Sequence, residues 1–287
     1  MPPAEKPTVA QTIAARMTDL SPSELRIARV LRSDYPSAGL STVSDLAVKA
    51  TTSTATVVRF CTHLGFSGFS DLQAHLRAEL TSQHASPASR AHHEWAPSDG
   101  ADSVGTALDL RGELVRAVRE TVPAAEFDRA IDLLADPHRA LLFSGGKFSH
   151  LAARYLQLQL RHLRPRSYFL DDPLRLDVGY ILDARKGDVI VIMDFRRYEP
   201  LAVTLTDFAK TRGCIVVLFT DVWLSPVSKI ADVVIPLAVE AALFDSLTGL
   251  FAAVESLVPA VAQRLGAPAL ERMDTLEDLR RPRPLAD

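Results

Sequence analysis

Five short apolar runs, each followed by a stretch of helical periodicity, constrain the fold of the C-terminal two thirds of this chain. The runs cover residues 139–144, 166–170, 189–194, 214–221 and 232–237. They are almost wholly apolar and do not alternate, which is typical of strands that are covered on both faces. Helices between consecutive strands are the crossover that parallel pairing requires. The pattern therefore predicts an α/β, doubly wound, five-stranded parallel sheet.

The loop that follows the first run is the first candidate binding site. Ligands of such sheets bind outside the carboxyl ends of the strands, close to the point where the strand order reverses. Small residues and exposed N–H groups at the start of a helix suit a phosphate or another anion. The ligand-binding candidates in this loop are Ser144, Gly146, Lys147 and Ser149. Neither the Walker pattern nor the dinucleotide pattern GxGxxG is present.

The loop that follows the third run carries the other ligand-binding candidates, Asp194, Arg196, Arg197 and Tyr198. Its two adjacent arginines can hold an anion, or they can pair with Asp and Glu residues at a subunit contact. The residues themselves do not decide between these two roles. After the fourth run, Trp223 is expected to be exposed and to line a pocket or an interface.

Composition divides the chain into four segments. Residues 1–80 show helical periodicity only, and residues 81–104 form a polar, proline-containing linker. Residues 105–270 hold the α/β domain, and its apolar helix over 245–264 belongs either to the core or to a dimer contact. Residues 271–287 form a charged tail. The predicted fold class is therefore α+β in two domains, an all-α bundle followed by the parallel sheet.

Two short helices joined by a tight turn at residues 51–52 stand out in the N-terminal segment. The second begins at Ser53 and carries Ser and Thr residues at its N-terminus, which is the pattern of a helix-turn-helix. Hydroxyl and N–H groups there suit phosphate oxygens, and Arg59 can read a guanine edge. The DNA-binding candidates are Lys49, Thr52, Ser53, Thr54, Thr56, Val57, Arg59 and His63. The apolar positions of the helix are Val57, Val58, Phe60 and Leu64. Val57, Phe60 and Cys61 are predicted to face inward, and Thr54, Thr56 and Arg59 to face outward.

The nearly balanced charge of this segment favours an ordinary helical bundle over a DNA-binding domain. Residues 1–80 contain eight Lys or Arg against seven Asp or Glu. Affinity for DNA normally rests on the neutralisation of phosphates, so an ordinary helical bundle remains an alternative at this point. Dimerisation would double the contacts and partly offset the weak charge.

Several classes of protein are disfavoured by composition. The net charge is −3, no apolar run approaches the length of a membrane span, and the N-terminus lacks a signal-peptide core. Cys61 and Cys214 lie in apolar runs and are interpreted as reduced, which fits a cytoplasmic protein with no membrane partner. His84, His92 and His93 lack companion ligands, so no metal and no cofactor is predicted.

The helix-turn-helix segment resembles the N-terminal domain of RpiR-family bacterial transcriptional regulators. The resemblance rests on residues 45–47 (DLA), 53–61 (STATVVRFC) and 64–72 (LGFSGFSDL), which follow the family's S-x-x-T-V-x-R-F core and L-G-[FY]-x-G-[FY] turn. It implies DNA binding, with contacts from Ser53, Thr54, Thr56 and Arg59. Gly65 is expected to end the helix with a positive φ, and Ser70 to cap the next helix, over about residues 71–80.

The second half resembles the sugar isomerase (SIS) domain of the same regulators, at residues 144–146, 186–189 (KGDV), 225–226 and 244–246 (FDS). The resemblance implies a dimerising domain that senses sugar phosphates without catalysis. The family's S-x-S-G-x-T phosphate loop is replaced here by Asp194-Phe195-Arg196-Arg197-Tyr198. A different anionic ligand, or a site filled by the chain's own side chains, is therefore an alternative.

The predicted function is a DNA-binding transcriptional regulator that is not an enzyme. Its expected partners are a double-stranded DNA operator, a small anionic metabolite such as a sugar phosphate, and further copies of itself in a homodimer or homotetramer. The alternative is a sugar-phosphate isomerase that uses the same α/β fold. His150, Glu199 and Glu240 are the candidate bases for that reaction, although none has a spacing typical of catalysis.

Overall fold

The computed structural model describes residues 8–84, 103–240 and 244–281, and it comprises two compact units, Met1–Arg90 and Ala91–Asp287. The N-terminal unit is built from helices only. They are α1 (Val9–Ala15), α2 (Pro22–Ser33), α3 (Ser37–Leu40), α4 (Val43–Lys49), α5 (Thr54–His63) and α6 (Phe69–His84), with one turn of 3-10 helix at Met17–Asp19. One apolar core, which includes Ile27, Phe60 and Leu76, joins these helices.

Capping side chains fix where the helices of this bundle begin. Ser21 and Glu24 form a reciprocal capping box at the start of α2, and Thr42 and Asp45 form a second box at the start of α4. Each box satisfies two N–H groups that the helix leaves unpaired. Ser53 caps α5 by accepting a hydrogen bond from the N–H of Thr56. The helix-turn-helix is thus defined by local sequence.

Two predictions for this unit were wrong in detail. The helical spacing of Val9, Ile13, Met17 and Leu20 predicts one helix over residues 8–20, but α1 ends at Ala15 and gives way to the 3-10 turn. Helix α6 begins at Phe69, so Ser70 lies inside it, and the Asp71 carboxylate instead accepts from the Ser67 N–H at 2.8 Å. The predicted positive φ of Gly65 is confirmed, at +97°.

The C-terminal unit contains the predicted five-stranded parallel sheet. Its strands, in spatial order, are β2 (Ser167–Phe169), β1 (Leu141–Gly145), β3 (Val189–Met193), β4 (Ile215–Asp221) and β5 (Val233–Leu237). This order reverses direction between β1 and β3, which is the switch point of a doubly wound sheet. The carboxyl ends of these two strands therefore bound a crevice.

Helices cover both faces of the sheet. They are α7 (Ser103–Thr121), α8 (Ala124–Ala135), α9 (Ser149–Leu163), α10 (Val178–Leu182), α11 (Pro200–Thr211), α12 (Thr248–Leu265) and α13 (Ala267–Arg280). The larger apolar core lies between one face and α8, α9 and α12, and the smaller lies against α10 and α11. None of the described helices is long and apolar enough to cross a membrane.

Three segments of this unit differ from their predicted bounds. The sequence between the second and third apolar runs predicts a helix over residues 173–182, but only Val178–Leu182 is helical. The Asp177 carboxylate accepts from the Asp172 N–H at 2.8 Å and closes a turn before it. Helix α12 begins at Thr248, and its buried residues belong to the core. The final helix α13 begins at Ala267, before the expected tail at residue 271. Gly266, with a φ of +67°, interrupts the helical conformation between α12 and α13.

Candidate functional site

Helix α5 carries a continuous polar strip along its surface. The Ser53 and Thr56 hydroxyls are 2.9 Å apart, and Nη2 of Arg59 donates to the Thr56 hydroxyl at 3.3 Å. Residues three apart on a helix are neighbours, so these contacts join two turns of the helix. The guanidinium of Arg59 is exposed and is tethered at one nitrogen, which leaves its other N–H groups for a ligand.

Two arginines that lie outside α5 donate hydrogen bonds to the backbone at the two ends of this helix. Arg26 on α2 donates to the carbonyl oxygens of Ala50 and Thr51, both at 3.2 Å, and thereby fixes the turn between α4 and α5. Arg16 donates to the carbonyl oxygen of His63 at 2.7 Å, at the other end of α5. These contacts span 24 to 47 residues of sequence, so local periodicity gives no signal for them.

The structure exposes most, but not all, of the predicted DNA-binding residues. Lys49, Ser53, Thr54 and Arg59 are exposed, and Thr52, Thr56 and His63 are half-buried. His63 also makes a 3.1 Å contact with Glu24 on α2. Its ring is thus partly committed to the bundle.

The side chain of Val57 cannot reach DNA. It is 0% exposed and packs in the core with Phe60 and Cys61, so its assignment as a DNA-binding candidate was wrong. The prediction that Val57, Phe60 and Cys61 face inward is confirmed, and the next residue, Val58, is 44% exposed. Ala55 and Thr62 share its exposed face. These three residues were not among those predicted to face outward.

The crevice between β1 and β3 is closed by close backbone contacts. The Gly146 N–H donates to the Met193 carbonyl oxygen at 3.1 Å, and the Ser149 hydroxyl donates to the same oxygen at 2.6 Å. A Cβ atom on Gly145 would lie 2.7 Å from the backbone nitrogen of His150, so this position requires glycine. The start of α9 is therefore held directly against the end of β3.

The first loop keeps part of its predicted capacity for an anion. Ser144 is buried, and the Ser149 hydroxyl is engaged with the backbone, which leaves neither hydroxyl directed to an external ligand. Lys147 is exposed, and within the described residues the N–H groups of Lys147 and Phe148 have no hydrogen-bond acceptor. Two N–H groups and one ammonium at the start of a 15-residue helix form a favourable site for an anion.

The arginine loop is occupied largely by the chain's own side chains. Arg196 forms a bidentate pair with Asp245, with Nε donating at 2.9 Å, and a second ion pair with Glu240 at 3.4 Å. Its guanidinium also lies 4.6 Å from the ring centre of Trp223. The alternative of an internally filled site is thus supported for Arg196. Arg197, by contrast, is exposed and adopts a φ of +64°.

Trp223 is buried, at 6% exposure, so its prediction as an exposed residue was wrong. Trp223 is buried because the guanidinium of Arg196 covers its indole ring. Arg196 reaches the ring from the β3 end, and the ion pairs of Arg196 with residues that follow β5 hold it there.

Two buried carboxylates lie beneath this loop, at the ends of β3 and β4. Asp194 accepts from the Ser225 hydroxyl and from the Glu199 N–H at 3.4 Å, and burial raises its pKa to about 6. Asp221 accepts from the Tyr198 hydroxyl at 2.7 Å and from the Trp223 N–H at 3.0 Å. Burial raises the pKa of Asp221 to about 7. Its Oδ2 has no hydrogen-bond partner in the part of the chain that the structure describes.

Asp194 and Tyr198, which were ligand candidates, are therefore held in an internal polar network. Asp221 and Ser225 complete that network and were missed by the sequence analysis. The available signal was their position, since Asp221 is the last residue of an apolar strand and Ser225 lies in the loop that follows it.

A helix-turn-helix with an exposed reading helix, joined in one chain to a doubly wound parallel sheet, defines a class: ligand-responsive DNA-binding regulators. Comparison with known proteins agrees with this class. Residues 8–83 match the model of the helix-turn-helix domain of the rpiR family, and residues 133–260 match the model of the SIS domain. The chain belongs to the RpiR family of helix-turn-helix transcriptional regulators with an SIS domain.

Two relatives and one solved structure resemble the chain over most of its length. The chain is 27% identical to the HTH-type transcriptional regulator YbbH of Bacillus subtilis, over 75% of this chain and 74% of that protein. It is 24% identical to the HTH-type transcriptional regulator HexR of Escherichia coli, over 80% and 77%. The structure of the Vibrio vulnificus NanR protein, complexed with ManNAc-6P, aligns with a TM-score of 0.53 at 18% identity and covers 94% of this chain and 97% of that chain.

Proposed function

We propose that this regulator binds an operator through α5 and that a small anionic metabolite of the sugar-phosphate class, bound at the start of α9, controls that binding. The observation that carries the metabolite half is the pair of free N–H groups beside Lys147 at the switch point of the sheet. The NanR structure contains ManNAc-6P, a ligand that is consistent with this chemistry.

The residues proposed to contact the anion differ from the candidates that the sequence alone predicted. The exposed cations Lys147 and Arg197 replace Arg196, whose charge is neutralised by Asp245 and Glu240. The hydroxyl groups that the SIS pattern places after the third strand are absent here, since residues 194–198 read DFRRY. Recognition through backbone N–H groups and two exposed cations compensates for that loss.

The proposed DNA contacts are those of the exposed face of α5 together with Lys49 on α4. A homodimer or homotetramer would present two such faces and would match a two-fold symmetric operator. A metabolite changes operator affinity only to the extent that it binds the two arrangements of the dimer with different affinity.

The test has two stages. Sites bound on the genome or selected from random duplexes provide an operator, and fluorescence anisotropy then measures its affinity with and without sugar phosphates. At least one sugar phosphate should shift the affinity by roughly 5-fold or more. Failure of the protein to select any sequence would refute the DNA half of the proposal.

A matched pair of lysine variants tests the metabolite half. Lys147→Ala should weaken the sugar-phosphate response roughly 10-fold, because a charge-assisted hydrogen bond is lost. Lys186→Ala is the control, since Lys186 is exposed at the opposite, amino end of β3. Equal responses of the two variants would exclude the loop at the start of α9 as the anion site.

The isomerase alternative has limited support in the geometry. Glu240 is paired with Arg196, and Nδ1 of His150 lies 3.0 Å from the carbonyl oxygen of Lys147. Glu199 is exposed. Its Oε1 lies 3.7 Å from where a Cβ atom on Gly146 would be, so among the three candidates Glu199 is the carboxylate that remains available near the Ser144–Ser149 loop. Turnover of a sugar phosphate that is lost in Glu199→Gln would establish this alternative.

A further inference from the structure

The outward face of α5 combines two chemically different strips. Ser53, Thr56 and Arg59 form the polar strip, and their hydrogen bonds to one another keep it on one side of the helix. Beside it lie Ala55 and Val58, both exposed. Val58 is 44% exposed although it lies in the middle of α5, between buried residues on both sides along the chain.

The apolar strip extends to Thr62. The Thr62 hydroxyl donates to the Val58 carbonyl oxygen at 3.2 Å, so the hydroxyl is satisfied within the helix. Its methyl group is the part that remains for an external contact. Ala55, Val58 and Thr62 are spaced by three and four residues and therefore lie along one line on the helix surface. The strip offers methyl groups and no hydrogen-bond donor.

The major groove of DNA displays one apolar group, the 5-methyl group of thymine. Alanine side chains and threonine methyl groups are known contacts for it, and valine offers the same surface. We propose that Val58, flanked by Ala55, packs on thymine methyl groups and thereby makes A·T pairs a requirement of the operator beside the base that Arg59 contacts. This inference rests on the proposed entry of α5 into the major groove.

The spacing of the strip agrees with this partner. Successive residues of the strip rise by roughly 4.5–6 Å along the helix, and base pairs are stacked roughly 3.4 Å apart, so neighbouring residues of the strip are separated by about one to two base-pair steps. Arg59 follows Val58 directly and lies about 100° around the helix, which places its guanidinium over an adjacent pair. One side chain would thus select thymine while the next selects guanine.

The experiment removes the methyl group from the DNA and from the protein separately. Binding sites are first selected from random duplexes with the wild-type protein. Each thymine of the selected half-site is then replaced by deoxyuridine, which lacks only the 5-methyl group. At one or two positions, this replacement should weaken wild-type binding about 4-fold, the effect of exposing one methyl group.

Val58→Ala should bind the thymine duplex about as weakly as the wild type binds the deoxyuridine duplex, and it should not distinguish the two duplexes. Val48→Ala is the matched control, because Val48 is a second exposed valine, on α4, and its loss should leave discrimination intact. Thermal unfolding of both variants should match the wild type, since both side chains are exposed.

Three results would overturn the proposal. The first is a wild-type protein that selects a sequence but binds the deoxyuridine duplexes with unchanged affinity at every position. The second is loss of discrimination in Val48→Ala instead of Val58→Ala. The third is a loss of the oligomer in Val58→Ala by light scattering, which would assign Val58 to a contact between copies of the chain. A wild type that selects no sequence would instead refute the proposed function itself.

Discussion

Replacement of Asp221 by asparagine should remove a pH dependence that the fold imposes on the stability of the α/β unit. Oδ1 of Asp221 accepts two hydrogen bonds, from the Tyr198 hydroxyl and the Trp223 N–H, and asparagine retains that oxygen. The new amide nitrogen takes the place of Oδ2, which has no partner within the described residues. Asparagine thus resembles the protonated acid in shape and charge.

The direction in which stability changes with pH follows from the raised pKa of Asp221. Burial lifts the pKa of Asp221 from its ordinary 3.8 to about 7, so the folded state holds a proton that the unfolded chain releases. The associated stability is fully present below about pH 4 and is lost as the pH rises to 7. A shift of this size corresponds to on the order of 4 kcal/mol, or about 1.4 kcal/mol per pH unit.

Asp221→Asn should therefore match the wild type near pH 4 and be more stable by at least ~1–2 kcal/mol at pH 8. Asp194, whose pKa is about 6, remains in the variant and leaves a smaller dependence below that pH. Urea unfolding of the full chain at several pH values measures both effects through the fluorescence of Trp223. A Trp95→Phe background removes the only other tryptophan.

Asp207→Asn provides the control, because Asp207 is exposed on α11 and its replacement should not alter the pH profile. If Asp221→Asn kept the wild-type pH dependence, the buried carboxylate would not be its source. A variant that lost as much stability at pH 8 as at pH 5 would show that Asp221 is needed as an anion, and the reasoning would be wrong.

Four further substitutions test the contacts described above. Arg59→Ala should lose about 1–3 kcal/mol of specific operator binding by anisotropy, and unchanged affinity would remove Arg59 from the set of base contacts. Arg196→Ala should lower the free energy of unfolding by roughly 2–3 kcal/mol, because Asp245 loses its partner, whereas the exposed Arg197→Ala should change it by less than ~0.5 kcal/mol in the same urea titration. Val57→Ala should cost about 2 kcal/mol by leaving a cavity in the helical core, and a neutral effect would contradict its burial.

Local sequence patterns predicted the sheet and some of the helix starts. The Ser21–Glu24 and Thr42–Asp45 capping boxes each lie within four residues, so one short window contains the whole interaction. The five apolar runs set strand number and parallel pairing, since the central strands β1, β3 and β4 are almost wholly buried. The predicted cap at Ser70 was wrong even though its neighbours lie close by in the sequence.

Other errors arose where the decisive partner was distant. Arg196 was included among the ligand-binding candidates, with pairing to Asp or Glu left open, because its partner Asp245 lies 49 residues further along the chain. The same pairing explains the burial of Trp223. The inclusion of Val57 among the DNA-binding candidates was wrong, although Val57 was also predicted to face inward, and its burial confirms that second prediction.

The single guanidinium on the exposed face of α5 has a consequence for how the protein searches a genome. A surface that contacts few phosphates releases few counterions, so its affinity for random sequence is low and depends weakly on salt. Under the proposed function, we expect such a protein to dissociate quickly from wrong sites and to spend little of its time sliding along them. Its molecules would then be divided mainly between true operators and free solution, and modest changes in metabolite concentration would translate directly into operator occupancy.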